Sequence, residues 1–266
     1  MFRRFASWIL SLGLLPLAAL AQSHTLLVEP EDGRTAILGA LNSATQTITL
    51  TIYEINDPEI DSALFAAQKR GVDVRVLYNF FSFYHMGRWH NMHLWIDALS
   101  AAGIQTQKAS SFYRVTHQKT FTIDGRTSLI MTFNLQSNYF GQTRDFGIVT
   151  TMPAEIAEIS RVFEADWNGQ PVLPTLPALV WSPENSRAKM LDLIRTSGRT
   201  LEVYNEEAED PESLQALIDA AGRGVHVRFL SAVLQQAGGP DHNQPGRALL
   251  NQHGVPAKAG TNLYLP

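Results

Sequence analysis

The stretch Val115-Thr116-His117-Gln118-Lys119-Thr120-Phe121-Thr122-Ile123-Asp124-Gly125 concentrates the groups in this chain best suited to chemistry. Read as a strand, with period two, Val115, His117, Lys119, Phe121 and Ile123 share one face, and Thr116, Gln118, Thr120 and Thr122 share the other. An imidazole and an ammonium are thereby set among core residues. A buried ammonium is strongly disfavoured unless it is paired, so the pattern asks for an anion on that face. Asp124-Gly125 is a turn signal leading into a second strand, Thr127 to Phe133, which ends at Asn134. The chain has no cysteine, which excludes thiol nucleophiles, thiolate zinc sites and disulfide frameworks. Chemistry falls to His, Lys, Ser/Thr and carboxylates.

The elements that must position these groups are announced by an internal repeat. Shifted by 153 residues, positions 30 to 77 lie over 183 to 230 without a gap, with 18 identities in 48 where chance gives about 3. Pro30-Glu31 matches Pro183-Glu184, Asp57-Pro58-Glu59 matches Asp210-Pro211-Glu212, and Arg70-Gly71-Val72 matches Arg223-Gly224-Val225. Each copy reads helix, strand, helix, strand. Helical apolar spacing covers Ala36 to Asn42 and Lys189 to Thr196, and β-rich runs cover Thr47 to Tyr53 and Thr200 to Tyr204. Asp57-Pro58 and Asp210-Pro211 predict an N-cap followed by proline at the first helical position. Gly71 and Gly224 suit the left-handed residue that ends a helix, and Val72 to Leu77 and Val225 to Leu230 are the next strands. Alternating elements with short connections predict a parallel or mixed sheet covered by helices, built once per half, with a Pro- and Gly-rich link over Asn168 to Pro177.

A chain of 266 residues, 45% apolar and 17% charged, is an ordinary globular sequence. Its formal charge of -4 supplies no basic excess for coating nucleic acid. The first 21 residues run from Arg3-Arg4 through the apolar stretch Ala6 to Leu20 to Ala19-Leu20-Ala21, the order of a secretory signal cleaved after Ala21. The apolar run is short for a membrane span and holds Pro16, so a secreted or periplasmic mature protein is expected. Losing Arg3 and Arg4 with that segment takes the charge to about -6.

His117-Gln118-Lys119, then four residues, then Asp124 resembles the H-x-K-x(4)-D signature of the phospholipase D superfamily. After six more residues that family usually has G-S/T-x-N; Met131-Thr132-Phe133-Asn134 keeps the hydroxyl and the amide and loses the glycine. Asp145, in Arg144-Asp145-Phe146, stands where the family has an acidic residue that orients the histidine. The duplication belongs to the resemblance, because most members are two such halves facing one site. The resemblance implies an α/β fold of two pseudo-repeated α/β/α halves, the first over 22–168 and the second, incomplete, over 178–266. It also implies phosphodiester chemistry through a phosphohistidine, with no metal or cofactor. His117 would be the nucleophile; Lys119, Thr132 and Asn134 would hold the phosphate; Asp145 would fix the imidazole tautomer. For Asp124, a direct catalytic part and a plain turn position both stay open.

The expected substrate is a phospholipid met at a membrane surface, as for enzymes similar to cardiolipin synthases, with hydrolysis or phosphatidyl transfer as the outcome. Nucleic acid is disfavoured by the acidic charge. A second H-x-K would begin at 268, two residues beyond Pro266. The expectations are therefore a fragment of a two-motif enzyme, a single-motif nuclease-like homodimer, or a non-catalytic phosphate- or lipid-binding protein. A sheet ending at Pro266 would leave an unpaired edge and marginal stability.

Other clusters read as scaffold or remain open. His90 and His93, with His85 nearby, have metal-like spacing but no adjacent carboxylate, so no metal site is assigned. Phe80-Phe81-Ser82-Phe83-Tyr84 and Trp89 follow a strand and suit either a site mouth meeting acyl chains or loop packing. Glu54 with Glu207, and Arg34 with Arg187, are repeat pairs serving the scaffold. Glu206-Glu207 with Glu209-Asp210 reads as a solvated acidic stretch feeding a helix N-terminus.

Overall fold

The structure of the protein, a computed structural model, describes residues 23–79, 83–85, 88–90, 92–235 and 239–260, and the side chains of 23–79, 95–235 and 239–260 within them. The signal segment and the aromatic and histidine side chains between 80 and 94 lie outside the described residues. The first half begins with β1 (His24–Val28), α1 (Thr35–Ser43), β2 (Thr47–Ile52), β3 (Ile55–Asn56), α2 (Pro58–Lys69) and β4 (Asp73–Tyr78). A short hairpin of β5 (Phe83–His85) and β6 (Arg88–His90) follows, then α3 (Met92–Ala101) and β7 (Gln105–Lys108). Next come β8 (Thr120–Ile123), β9 (Thr127–Met131), β10 (Leu135–Gln136), α4 (Tyr139–Gln142), β11 (Phe146–Thr150) and α5 (Pro153–Trp167).

Seven of these strands form one mixed sheet in the order β1-β11-β9-β8-β2-β4-β7. β2, β4 and β7 run parallel, as crossover helices require, while β8, β9, β11 and β1 add on antiparallel. Ile48, Leu50 and Ile52 of β2, Val74 and Val76 of β4 and Phe121 of β8 pack with Ile37, Leu41, Ile60 and Leu64 of α1 and α2 in the main core. α5 lies against a separate small cluster, where Phe163 meets Leu77 and Ala109.

After 168–185, which hold neither helix nor strand, the chain forms α6 (Ser186–Thr196), β12 (Thr200–Asn205), α7 (Pro211–Gly222), β13 (His226–Ser231), α8 (Gln244–Gln252) and β14 (Ala257–Ala259). β12, β13 and β14 make a parallel sheet with its own core, including Leu217, Val227, Phe229 and Leu250. Residues matched by the repeat do matching work. Asp57 caps α2 by accepting from Glu59 N and Ile60 N, and Asp210 caps α7 by accepting from Ser213 N. Arg34 donates to Asp57 and Arg187 to Asp210, each at 2.8 Å.

The segment carrying the chemistry departs from the simple strand reading. Ladder pairing starts only at Thr120, and β9 stops at Met131, so 115–119 run outside the sheet. Met131 N still donates to Lys119 O at 2.9 Å, but the chain beyond β9 turns away to β10, which pairs with β3 instead. With no ladder partner at 117 and 118, the two-faced pattern fails there: Val115 and His117 are exposed, while Lys119 is 4% exposed.

Candidate active site

His117, Lys119, Thr132 and Asp145 line one cleft of about 300 Å³, with Met131, Arg144 and Phe146 of the first half and Tyr204, Asn205 and Glu206 of the second. β8 and β11 bring the first-half groups together, because β9 lies between them and Thr132 follows its last residue. The Thr132 hydroxyl donates to Asp145 Oδ1 at 2.6 Å and accepts from Phe146 N at 3.0 Å. Phe146 and Tyr204 meet edge to face at 5.4 Å, closing the cleft between the two halves.

The anions that a buried ammonium needs are present. Lys119 Nζ donates to His117 O at 2.9 Å and sits 5.3 Å from the centre of the Tyr53 ring. Burial pulls the Lys119 ammonium down to about 8 against the opposing pull of Glu206, Glu54 and Asp145. Glu54, itself bonded by the Gln136 amide, is pushed by burial up to about 7 despite Lys119. The Asp145 carboxyl is raised by burial, opposed by the Thr132 and Thr143 hydroxyls and by Lys119.

His117 is exposed on its outer side, with the Tyr53 ring edge-on at 4.3 Å. Protein crowded around the imidazole disfavours its cation and the Lys119 ammonium adds to this, so its pKa is pushed down to about 4. A neutral imidazole beside a cation, at the wall of an open cleft, can attack an anionic ester near neutral pH. For a phosphodiester with an aryl leaving group, which needs no proton, kcat/KM should be bell-shaped. The acid limb should fall near pH 4, where His117 gains its proton, and the alkaline limb near pH 8, where Lys119 loses its own. Initial rates on bis(p-nitrophenyl) phosphate across pH 3.5 to 9.5 check this.

Four site readings change or narrow. Asp124 does not line the cleft. It sits in the turn between β8 and β9 and accepts from Thr45 N, Thr45 Oγ1, Gln46 N and Thr47 N at 2.8–2.9 Å, tying that turn to the start of β2. Asn134 is buried, with its amide donating to the Tyr139 hydroxyl at 3.4 Å, and does not reach the cleft wall. Among the described residues no hydrogen bond joins Asp145 to His117. Glu206 is exposed, as read, but it also lines the cleft that Lys119 lines, while Asp210 does the capping. Nothing in the local sequence marks Glu206, since its repeat partner is Tyr53, the aromatic that covers His117.

A second, larger cavity of about 1200 Å³ adjoins this cleft. Its walls are the sheet face at Ile130 and Ile148, Ile159 and Val162 of α5, Phe112, and Leu179 to Trp181 of the segment before α6. His117 lines both cavities.

Comparison with known proteins identifies the lineage. The family model described as cardiolipin synthase, PLD-like domain, matches residues 37–167, spanning the cleft residues of the first half. The chain belongs to the phospholipase D superfamily. Members of this superfamily are phosphodiesterases and transferases. Among solved structures, a polyphosphate kinase from Porphyromonas gingivalis aligns with a TM-score of 0.63 at 16% identity, over 91% of this chain and 42% of its own. Phosphatidylserine synthase from Haemophilus influenzae Rd KW20 aligns with a TM-score of 0.62 at 14% identity, over 79% of this chain and 61% of its own. Nuc from Salmonella typhimurium, a phospholipase D family member, is 25% identical over 58% of this chain and 99% of its own, with a TM-score of 0.48. No curated protein matches the sequence.

Proposed function

We propose that this protein cleaves or transfers the phosphodiester of a phospholipid through a phosphohistidine on His117. The observation that carries the reading is the position of His117 at the junction of a polar cleft and a large apolar groove. A phospholipid presents that same junction, with an anionic diester at one end and acyl chains at the other. The groove volume, about 1200 Å³, is ample for a lipid chain, and its lining of Ile, Val, Leu, Phe and Trp suits one. Neutral His117 forms the N–P bond as the ester P–O bond breaks. The Lys119 ammonium lines the cleft where it can take the phosphoryl oxygens, and the Thr132 hydroxyl can join it by turning its proton from Asp145. Water or an alcohol then attacks phosphorus and releases the imidazole, giving hydrolysis or phosphatidyl transfer.

The description of the matching family, cardiolipin synthase, supports a phospholipid, and the charge of -4 argues against a nucleic-acid track. The segment ending at Ala21 supports action outside the cytoplasm, at a membrane surface.

The test separates the groove from the chemistry. Phe112 and Val180 are 85% and 54% exposed, so Phe112→Glu and Val180→Glu should leave the fold intact. Together they should lower turnover of phosphatidylglycerol in mixed micelles about tenfold or more, through lost apolar contact. Turnover of bis(p-nitrophenyl) phosphate should stay within about twofold. Equal turnover of both substrates by the variant and the parent, or wild-type preference for single-stranded DNA over the lipid, would overturn the lipid reading.

A further inference from the structure

The apolar groove beside His117 follows a course that the sheet register defines. Thr120 of β8, Ile130 of β9 and Ile148 of β11 stand directly opposite one another on its floor, and His24 of β1 lies one strand further out. Leu26 is opposite Ile148, and residues two apart share a face, so His24 belongs to the same floor. Three strand spacings carry that floor about 14 Å from Thr120 to β1. α5 forms one wall, where Glu155, Ile159 and Val162 line the groove at i, i+4 and i+7. The apolar course ends in a polar pair. His24 Nε2 meets the two Glu155 carboxylate oxygens at 3.0 and 2.8 Å, and the Thr150 hydroxyl donates to Glu155 Oε2 at 2.6 Å. Against burial, the Thr150 hydroxyl and His24 hold the Glu155 carboxyl below the ordinary glutamate range. His24 is half-exposed, whereas the Glu155 side chain is 12% exposed, so the pair stands where the groove meets solvent at the sheet edge.

We propose that the His24–Glu155 pair is the far stop of an acyl channel and sets the length of chain that this protein accepts. The inference rests on the phospholipid reading above and names the substrate within it. His117 stands three residues before Thr120, at most about 10 Å along an extended chain, so the path from imidazole to pair is about 24 Å. The glycerol linkage occupies the part nearest His117. The remainder, roughly 18 Å, holds an acyl chain of about 14 carbons, since an extended chain of about 1.5 Å bonds advances about 1.3 Å per carbon. A longer chain must press its methyl end against an imidazole and a carboxylate already bonded to each other, and strip their water without replacing it. The first extra methylenes gain less from burial than that desolvation costs. A shorter chain leaves Ile148 and Ile159 uncovered and forgoes their contact. Chains near the channel's own length are therefore preferred over both.

The experiment follows phosphatidylglycerols bearing octanoyl, myristoyl or stearoyl chains, each at the same surface fraction in detergent micelles. Ratios of kcat/KM are taken within one protein, so that a general loss of activity cancels. Wild type should favour the dimyristoyl lipid over the dioctanoyl and the distearoyl lipids by about fivefold or more each. His24→Ala combined with Glu155→Ala removes both partners together and leaves no unpaired charge at the channel end. That variant should bring the distearoyl rate to within about twofold of the dimyristoyl rate. Ile148→Phe should narrow the channel midway and make the dioctanoyl lipid the preferred one. A wild-type preference for dimyristoyl chains that either variant leaves in place would overturn the stop while the lipid reading stands. Wild-type rates independent of acyl length would overturn the stop as well. Turnover of bis(p-nitrophenyl) phosphate with none of the three lipids consumed would instead overturn the lipid reading, and the inference would fall with it.

Discussion

His117→Ala should lose phosphodiester turnover by about 10⁴-fold or more, with the fold unchanged, because it deletes the group that makes the new bond to phosphorus. The side chain is exposed and contributes one ring contact to Tyr53, so its loss costs little stability. Binding should survive the substitution. Lys119 remains to hold the diester, so a non-hydrolysed phosphonate analogue should bind the variant within a few-fold of wild type. Lys119→Met should do the reverse, weakening the analogue while leaving a neutral imidazole in place. Steady-state rates on a soluble diester, paired with calorimetric titration of the phosphonate, measure both quantities. Undiminished turnover by purified His117→Ala would end the phosphohistidine mechanism for this chain, and with it the assignment of the cleft as the reaction site.

Much of this arrangement is legible in the sequence, and the parts that are not have identifiable causes. The repeat places helices, strands and caps to within a few residues, because Asp57-Pro58, Gly71 and their counterparts Asp210-Pro211 and Gly224 carry local backbone instructions. Gly71 and Gly224 take φ of 88° and 91°, which an L side chain rarely adopts. The strand at 115–119 is overestimated because alternation of side chains is a property of extended chain, while a ladder also needs a partner. β9 withdraws that partner when it leaves for β10. The anions around Lys119 were demanded by its burial, but only folding reveals that one of them, Glu206, arrives from the other half. The apolar groove has the same character. Phe112, Ile148, Ile159 and Trp181 come from four separate stretches of chain, and no periodicity links them.

Asp124→Ala should destabilise the protein by about 2–4 kcal/mol, since it removes the acceptor of three backbone N–H groups and one hydroxyl in a partly exposed turn. The loss should appear as a fall in melting temperature on the order of 10 °C. Its pH dependence has a definite sign. Burial alone would raise the Asp124 carboxyl, but the N–H groups of Thr47, Thr45 and Gln46 and the Thr45 hydroxyl overcome it and hold the pKa at about 2. The folded value lies below the ordinary aspartate value of 3.8, so the contribution is fully present above that value and fades as pH falls toward 2. Wild type and variant should therefore converge in stability at the acid end and diverge above about pH 4, read by denaturant titration at several pH values. Turnover per folded molecule should stay near wild type, because Asp124 stands outside the cleft. An equally stable variant with a collapsed kcat would return this aspartate to the chemistry. The expected result instead explains why the third letter of the motif sits where it does. Asp124 has φ of 51° and Gly125 of 61°, so the pair reverses the chain, and the carboxylate fastens that reversal to the start of β2. β8 is thereby fixed in register against β2, with Ile48 opposite Ile123. Lys119 leads directly into β8, so the same register sets where the chain carrying its ammonium leaves the sheet for the cleft.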